Sequence, residues 1–207
     1  MRVLCVAVLL AALSGCAPKD PAITAPFTDD FERPGLGADW HNTGGPYRIE
    51  GGALKIQGAF NHPLWLRRKL PNDSVIEFDA TSRSSSGDIK VEVYGDGETF
   101  ARDKGAYTAS GYVFIFGGWR NTKSMIARHD EHAPGQPART QPRVEVGKTY
   151  HHKLVFKGSS ITWFVDGEEF LKRDDPQPLR GKGHEYFGFS NWDADLTFDN
   201  LKISPAS

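Results

Sequence analysis

The 207-residue sequence predicts an all-β domain, a sandwich or a barrel. Three observations carry that expectation. No stretch sustains an amphipathic helical period. Short runs instead alternate apolar and polar residues with period two. Gly, Pro, Asn and Asp divide these runs at close intervals. About a dozen such segments in one chain is the pattern of packed or closed antiparallel sheets.

The segments follow in order. Phe27 to Phe31 is a first short strand. Tyr47-Arg48-Ile49-Glu50 and Ala53-Leu54-Lys55-Ile56-Gln57 flank Gly51-Gly52, the composition of a tight hairpin turn. Leu64 to Arg68 comes next. Ser74 to Ala80 and Ile89 to Tyr94 alternate cleanly. Gly111 to Gly118 is almost wholly apolar, as expected of a strand covered on both faces. Lys153 to Lys157 and Ile161 to Val165 make a hairpin around Gly158-Ser159-Ser160. Asp166-Gly167 then turns the chain into Glu169-Phe170-Leu171. Tyr186 to Ser190 and Leu196 to Ile203 complete the set, and Asp199-Asn200 marks a bulge in the last strand. The longest irregular connection is 131–147. On strands such as Ile89 to Tyr94, Asp88 and Glu92 read as exposed polar positions, and Arg67, Arg68 and Lys69 as a solvated edge.

The N-terminus has a separate character. Met1-Arg2 is followed by an apolar run from Val3 to Leu13, too short to span a bilayer. It reads as a signal peptide. The run ends in Leu13-Ser14-Gly15-Cys16, which resembles the lipobox of bacterial lipoproteins. The resemblance implies cleavage before Cys16, a diacylglycerol thioether on its sulfur and acylation of the freed amine. It places the protein at the cell envelope, held to a membrane by lipid. Ala17 rather than Asp after the cysteine favours the outer membrane if the source is Gram-negative. The organisation is then a signal peptide over 1–15, a lipidated N-terminus and proline-rich tether over 16–26, and one β domain over 27–204.

Cys5 leaves with the signal and Cys16 is acylated, so the mature chain has no disulfide. Loss of Arg2 moves the formal net charge from −1 to −2. That balance argues against nucleic acid as a partner.

Three segments together resemble the concanavalin A-like lectin/glucanase superfamily. They are Phe27-Thr28-Asp29-Asp30-Phe31 with Trp40 and Tyr47 to Leu54, then Ile161 to Phe170 with its Asp-Gly turn, then Leu196 to Ile203. The resemblance implies a two-sheet antiparallel β-sandwich of the jelly-roll type, with the first and last strands paired. It says little about function, because that superfamily holds lectins, glycan-binding modules, hydrolases and lyases. Family 16 glycoside hydrolases in it carry E-x-D-x-x-E on one strand. Glu77-Phe78-Asp79 begins that pattern, but Arg83 stands near the third acid's place, and Asp88, Lys90 and Glu92 have Lys in the middle. That catalytic site does not carry over. The general layout is also similar to keto-disaccharide hydrolase-like domains, without a transferable residue.

Candidate chemistry gathers in two turns. Trp119, Arg120 and Asn121 follow Gly117-Gly118 at the end of a strand. A Trp face stacks on the apolar face of a sugar, while Arg and Asn bond hydroxyls. His129-Asp130-Glu131-His132 is dense in acid, base and ligand side chains, but alternation on a strand separates them. Asp130, Glu131 and His129 are the candidate acid–base residues. Asn191-Trp192-Asp193-Ala194-Asp195 is the second turn. Asn191, Asp193 and Asp195 are hard oxygen donors at spacing suited to Ca²⁺, although no EF-hand pattern follows. No other cofactor is expected. The leading expectation is a carbohydrate-binding module whose Trp119, Arg120, Asn121, His129, Asp130, Asn191 and Trp192 line one concave face. The other expectations are a glycoside hydrolase-like enzyme and a structural envelope lipoprotein.

Overall fold

The computed structural model describes residues 20–103 and 107–206. The expected signal peptide over 1–15 and the lipidation site Cys16 lie outside the described residues.

Two antiparallel sheets pack face to face. The first runs β13 (Glu168–Asp174), β12 (Ser160–Val165), β11 (Thr149–Lys157), β6 (Ser74–Ser82), β15 (Asp195–Pro205), β4 (Leu54–Gln57), β3 (Arg48–Ile49), with β1 (Phe27–Asp29) also on β15. The second runs β10 (Ala138–Arg139), β9 (Lys123–Arg128), β8 (Tyr112–Gly117), β7 (Ile89–Gly95), β14 (Tyr186–Ser190), β5 (Leu64–Leu66), β2 (Trp40–Asn42). The first and last strands pair, Phe27 opposite Ile203. The register shifts between Asp199 and Lys202, where Asn200 has φ 51°. The bulge expected at Asp199-Asn200 is therefore present.

Strict alternation builds the core. On β6, Ile76, Phe78 and Ala80 are buried, and the residues between them are half-buried. Facing them from the second sheet are Val91, Phe114, Phe187 and Phe189. Phe78 packs against Phe189 edge-on at 5.8 Å, and Phe198 lies 4.4 Å from Phe189. Burying a large apolar side chain is worth about 1.5–3 kcal/mol. This layer of aromatics is therefore a main source of stability for the sandwich.

β8 is buried along its whole length. Phe114 and Phe116 face the core. Val113 and Ile115 face outward, under a second apolar cluster with Ala101, Tyr107, Ala109, Met125 and Ala127. A segment folded over the outer face of this sheet is why the sequence of β8 is apolar without alternation.

Four expectations change. Asp88 and Glu92 are buried, at 8% and 1% exposure, because that covering segment and the neighbouring loops roof over β7. The basic edge is not merely solvated. Arg67 pairs with Asp20, Arg68 with Asp39 and Lys69 with Glu185. The expected tether is docked from Asp20 onward, with Ile23 in the core. The irregular stretch 131–147 contributes the short strand β10, whose Ala138 pairs with Met125.

Candidate functional site

The site starts from the pleat of β7. Ile89, Val91 and Val93 enter the core, so Lys90 and Glu92 project from the opposite face. Glu92 is fully committed. It accepts hydrogen bonds from the Tyr107 hydroxyl at 2.6 Å, the Ser110 amide and hydroxyl, and the Gly111 amide. Burial pushes its carboxyl up to about 7, against the pull of those donors. Burial and the neighbouring Glu92 raise the Tyr107 phenol as well. This latch ties the segment around residues 107–111 over the sheet.

Beyond the latch, at the Asp88 end of β7, the sheet is open. A cleft of about 720 Å³ lies there. Its floor is Lys90, only 3% exposed. The Lys90 ammonium donates to Glu131 Oε2 and to Asn61 Oδ1, both at 3.0 Å. Burial alone would lower the Lys90 pKa, but the carboxylates of Asp88 and Glu131 outweigh it and raise the value. Asp88 adopts φ 61° and accepts the Trp192 amide. Burial raises its carboxyl above the usual range, with Lys90 opposing. A buried ammonium between two carboxylates, with an amide oxygen beside it, is a ready acceptor and donor set for sugar hydroxyls.

Two tryptophans stand at the walls. Trp192 follows β14 and meets Phe60 edge-on at 5.1 Å. Trp119 is 38% exposed, with His132 edge-on at 5.9 Å and the Lys123 ammonium 5.2 Å from its ring centre. Trp119 sits in an unusual turn. Gly117 has φ 75°, and Trp119, Arg120 and Asn121 follow at 49°, 56° and 61°. Left-handed geometry costs a residue with a Cβ roughly 1–2 kcal/mol. Asn121 offsets part of that cost. Its side-chain amide donates to the Val144 carbonyl at 2.8 Å and accepts the Val144 N–H at 2.9 Å. Thr122 closes the turn through its N–H to the Gly118 carbonyl and its hydroxyl to the Trp119 carbonyl. The strain is thus held in place to display Trp119 and Arg120 at the cleft.

The structure brings Trp119, Arg120, Glu131, Trp192 and Asp193 to this one cleft, with His132. The other expected residues do not share it. Asn121 spends both ends of its amide on Val144. His129 has φ 63°, turns away after β9, and its ring meets the Ala109 carbonyl at 3.1 Å and His184 at 6.0 Å. Asp130 caps its own turn through the His132 amide. Asn191 is fully buried; it accepts the Ala59 amide and donates to the Ala194 carbonyl. The turn at His129 also lets Glu131 and His132 reach a place that strand alternation denied them. Of the oxygen donors expected to suit Ca²⁺, Asn191 bonds Ala59 and Ala194, Asp195 begins β15 opposite Gln57, and Asp193 lines the cleft. Among the described residues, no group of three or more His, Cys, Asp or Glu could hold a metal ion. Glu77 and Asp79 lie outside the other sheet, facing His151.

Sequence reasoning passed over Asp88, Lys90, Asn61 and the pair Ser85 and Ser86, all on the cleft. A signal existed for Lys90. A lysine with Asp88 and Glu92 at i−2 and i+2 has carboxylates near it along the chain, and it has to be paired if that face is buried.

No family's sequence profile matches the chain. Over 173 residues it is 25% identical to an extracellular exo-alpha-L-arabinofuranosidase of Streptomyces chartreusis. The match takes in 80% of this chain and 20% of that enzyme, so the chain spans about a fifth of its curated relative. Among solved structures, a carbohydrate-binding module, CBM66 of Bacillus subtilis, superposes with TM-score 0.59 and 17% identity, over 83% of this chain and 99% of the module. A Bacillus subtilis protein of galectin-like fold gives TM-score 0.62 at 12% identity, over 88% of this chain and 96% of that one. The Bacillus licheniformis beta-glucanase gives 0.61 at 10% identity, over 89% and 99%. The fold is a two-sheet jelly-roll β-sandwich, as in these structures. The two-sheet sandwich expected from the sequence is the architecture observed.

Proposed function

We propose that this protein is a carbohydrate-binding lipoprotein of the cell envelope, and that its ligand is a neutral saccharide seated in the cleft beside Lys90. One observation carries the reading. Two tryptophan rings flank a cleft whose floor is a buried ammonium set among Asp88, Glu131 and Asn61. Trp119 and Trp192 supply apolar faces for sugar C–H groups. The floor supplies donors and acceptors for adjacent hydroxyls. Two carboxylates against one ammonium disfavour a sugar carboxylate at that depth. Arg120 at the rim adds a further donor. The likeness to a binding module and to an arabinofuranosidase supports the reading and suggests arabinofuranosyl oligosaccharides as the first ligands to try.

The anchor belongs to the same proposal. Lipid on Cys16 would hold the domain at a membrane surface, the outer membrane in a Gram-negative source. Titration calorimetry with neutral oligosaccharides, arabinofuranosyl ones included, tests the binding. Loss of Trp119 stacking in Trp119→Ala should weaken affinity about tenfold. The thermal midpoint should not move, since the ring is largely outside the core. Unchanged affinity refutes the site, and no binding to any neutral glycan by the native protein refutes the function.

A second reading, glycoside cleavage, has its own observation. Asp88, held protonated toward higher pH by burial, shares the cleft with Glu131. Hydrolysis needs such a carboxyl pair. Release of reducing sugar by the native protein, abolished in Asp88→Asn, would establish it; absence of release leaves binding alone.

A further inference from the structure

The chain from Asp20 to Ile23 forms a strap. Ala22 bridges Lys69 in parallel. The Ile23 N–H donates to the Lys69 carbonyl, and the Lys69 N–H donates to the Pro21 carbonyl, both at 2.9 Å. Asp20 accepts from the Arg67 guanidinium at 3.2 Å. Ile23 is 5% exposed and belongs to the main core. Backbone pairing, an ion pair and a buried side chain together fix these residues to the domain.

The strap lies at one end of the second sheet. Lys69 reaches Glu185, the Leu70 N–H donates to the Glu185 carbonyl, and the Glu185 N–H donates to the Gly95 carbonyl. Gly95 ends β7 and Tyr186 begins β14; the two are register partners. The cleft lies at the other end of the same two strands, at Asp88 just before β7, at Lys90 of β7 and at Trp192 beyond β14. From Tyr186 to Ser190, the length of β14, the rise is about 13 Å, and Trp192 lies beyond that end. Strap and cleft are therefore at opposite ends.

We infer that the strap sets the orientation of the domain on a lipid surface: the end bearing Arg67, Glu98 and Glu185 faces the bilayer, and the cleft opens away from it. This rests on lipidation at Cys16. Four residues from Cys16 to Asp20 reach about 14 Å at most. A leash free up to Phe27 would reach about 38 Å and let the domain tumble. Docking shortens the leash, and the docked end is the one farthest from the cleft. The ion pairs of Arg67, Arg68 and Lys69 with Asp20, Asp39 and Glu185 neutralise that end, so the lipid anchor and not charge brings it to the surface.

The test uses the full chain, processed in cells and reconstituted in phosphatidylethanolamine–phosphatidylglycerol vesicles. Cys16 is the one cysteine left after processing, and acylation blocks it. A spin label can then be placed singly through Glu98→Cys, at the strap end, or Asp193→Cys, at the cleft. Collision with lipid-soluble oxygen relative to a water-soluble nickel chelate should be several-fold higher at position 98. The additional change Ile23→Asp should release the strap and bring the two ratios together. Equal ratios at the two positions in the strapped protein, or a difference that persists in Ile23→Asp, overturns the orientation. Native protein that does not stay with the vesicles, or Cys16→Ser that stays equally well, overturns the lipid-anchor reading on which it rests.

Discussion

Acid should destabilise this fold through one core histidine. His152 lies on β11, fully buried and stacked on Phe78 at 5.0 Å. Its Nδ1 accepts the Trp163 indole N–H at 3.2 Å, and its Nε2 has no partner. Burial pushes the ring down to about 3, against weak opposing pulls from Asp166 and Asp79. The ring is therefore neutral in the folded state, whereas the unfolded chain takes up a proton near pH 6.5. A depressed folded value means stability is full above pH 6.5 and is lost as pH falls toward 3. At about 1.4 kcal/mol per unit, the loss at pH 4.5 is about 3 kcal/mol and approaches about 5 near pH 3. That is a large share of a typical stability of about 5–15 kcal/mol. Urea unfolding at pH 7.5 and 4.5, on native protein and His152→Gln, measures it. Gln keeps an acceptor for Trp163 and cannot titrate. It leaves its own amide unpaired, which lowers stability at pH 7.5 by about 1–3 kcal/mol. The drop between the two pH values should nonetheless shrink by about 3 kcal/mol relative to native. Other titrating groups, including Asp29 and Asp175 with their lowered values, are common to both proteins and cancel. An equal drop in both proteins would refute the reasoning.

Other predictions concern the cleft. Asn121→Ala removes both bonds to Val144 and leaves the left-handed turn unsupported; saccharide affinity should fall tenfold or more with only a small drop in thermal midpoint, read by calorimetry and by melting. Lys90→Met leaves Asp88 and Glu131 buried without their cation and should cost about 3–5 kcal/mol in urea unfolding. Adding Glu131→Gln to Lys90→Met should recover part of that loss; no recovery would mean the pair is not coupled as its 3.0 Å contact indicates. Glu92→Ala frees Tyr107, Ser110 and Gly111, so amide exchange around residues 107–111 should accelerate while β6 and β15 stay protected.

The fold was legible because it rests on local pattern. Alternation on β6, the Gly51-Gly52 turn and the Asp166-Gly167 turn each follow from side-chain period or from backbone freedom within a few residues. The resemblance of the first and last strands added their pairing. The candidate site was legible in part. Trp119, Arg120 and Trp192 stood out as aromatic and polar residues in turns, and the structure places all three on one cleft. Asn121 and Asn191 have the same composition signal but serve the backbone, because an amide beside an unpaired carbonyl or N–H is taken by it. His129 was read on a strand, and its φ of 63° ends that strand. Asp88 and Glu92 looked exposed because alternation shows which face a residue is on, not what lies over that face.

The sequence by itself determined the all-β character, the places of most strands and turns, and the bulge at Asp199-Asn200. These depend on neighbours along the chain. Only the tertiary structure decided that the outer face of the second sheet is roofed, that Lys90 is buried against Glu131 and Asn61 from distant segments, and that the strap at Asp20 to Ile23 lies opposite the cleft. These depend on residues tens of positions apart meeting in space, as Lys90 and Glu131 do.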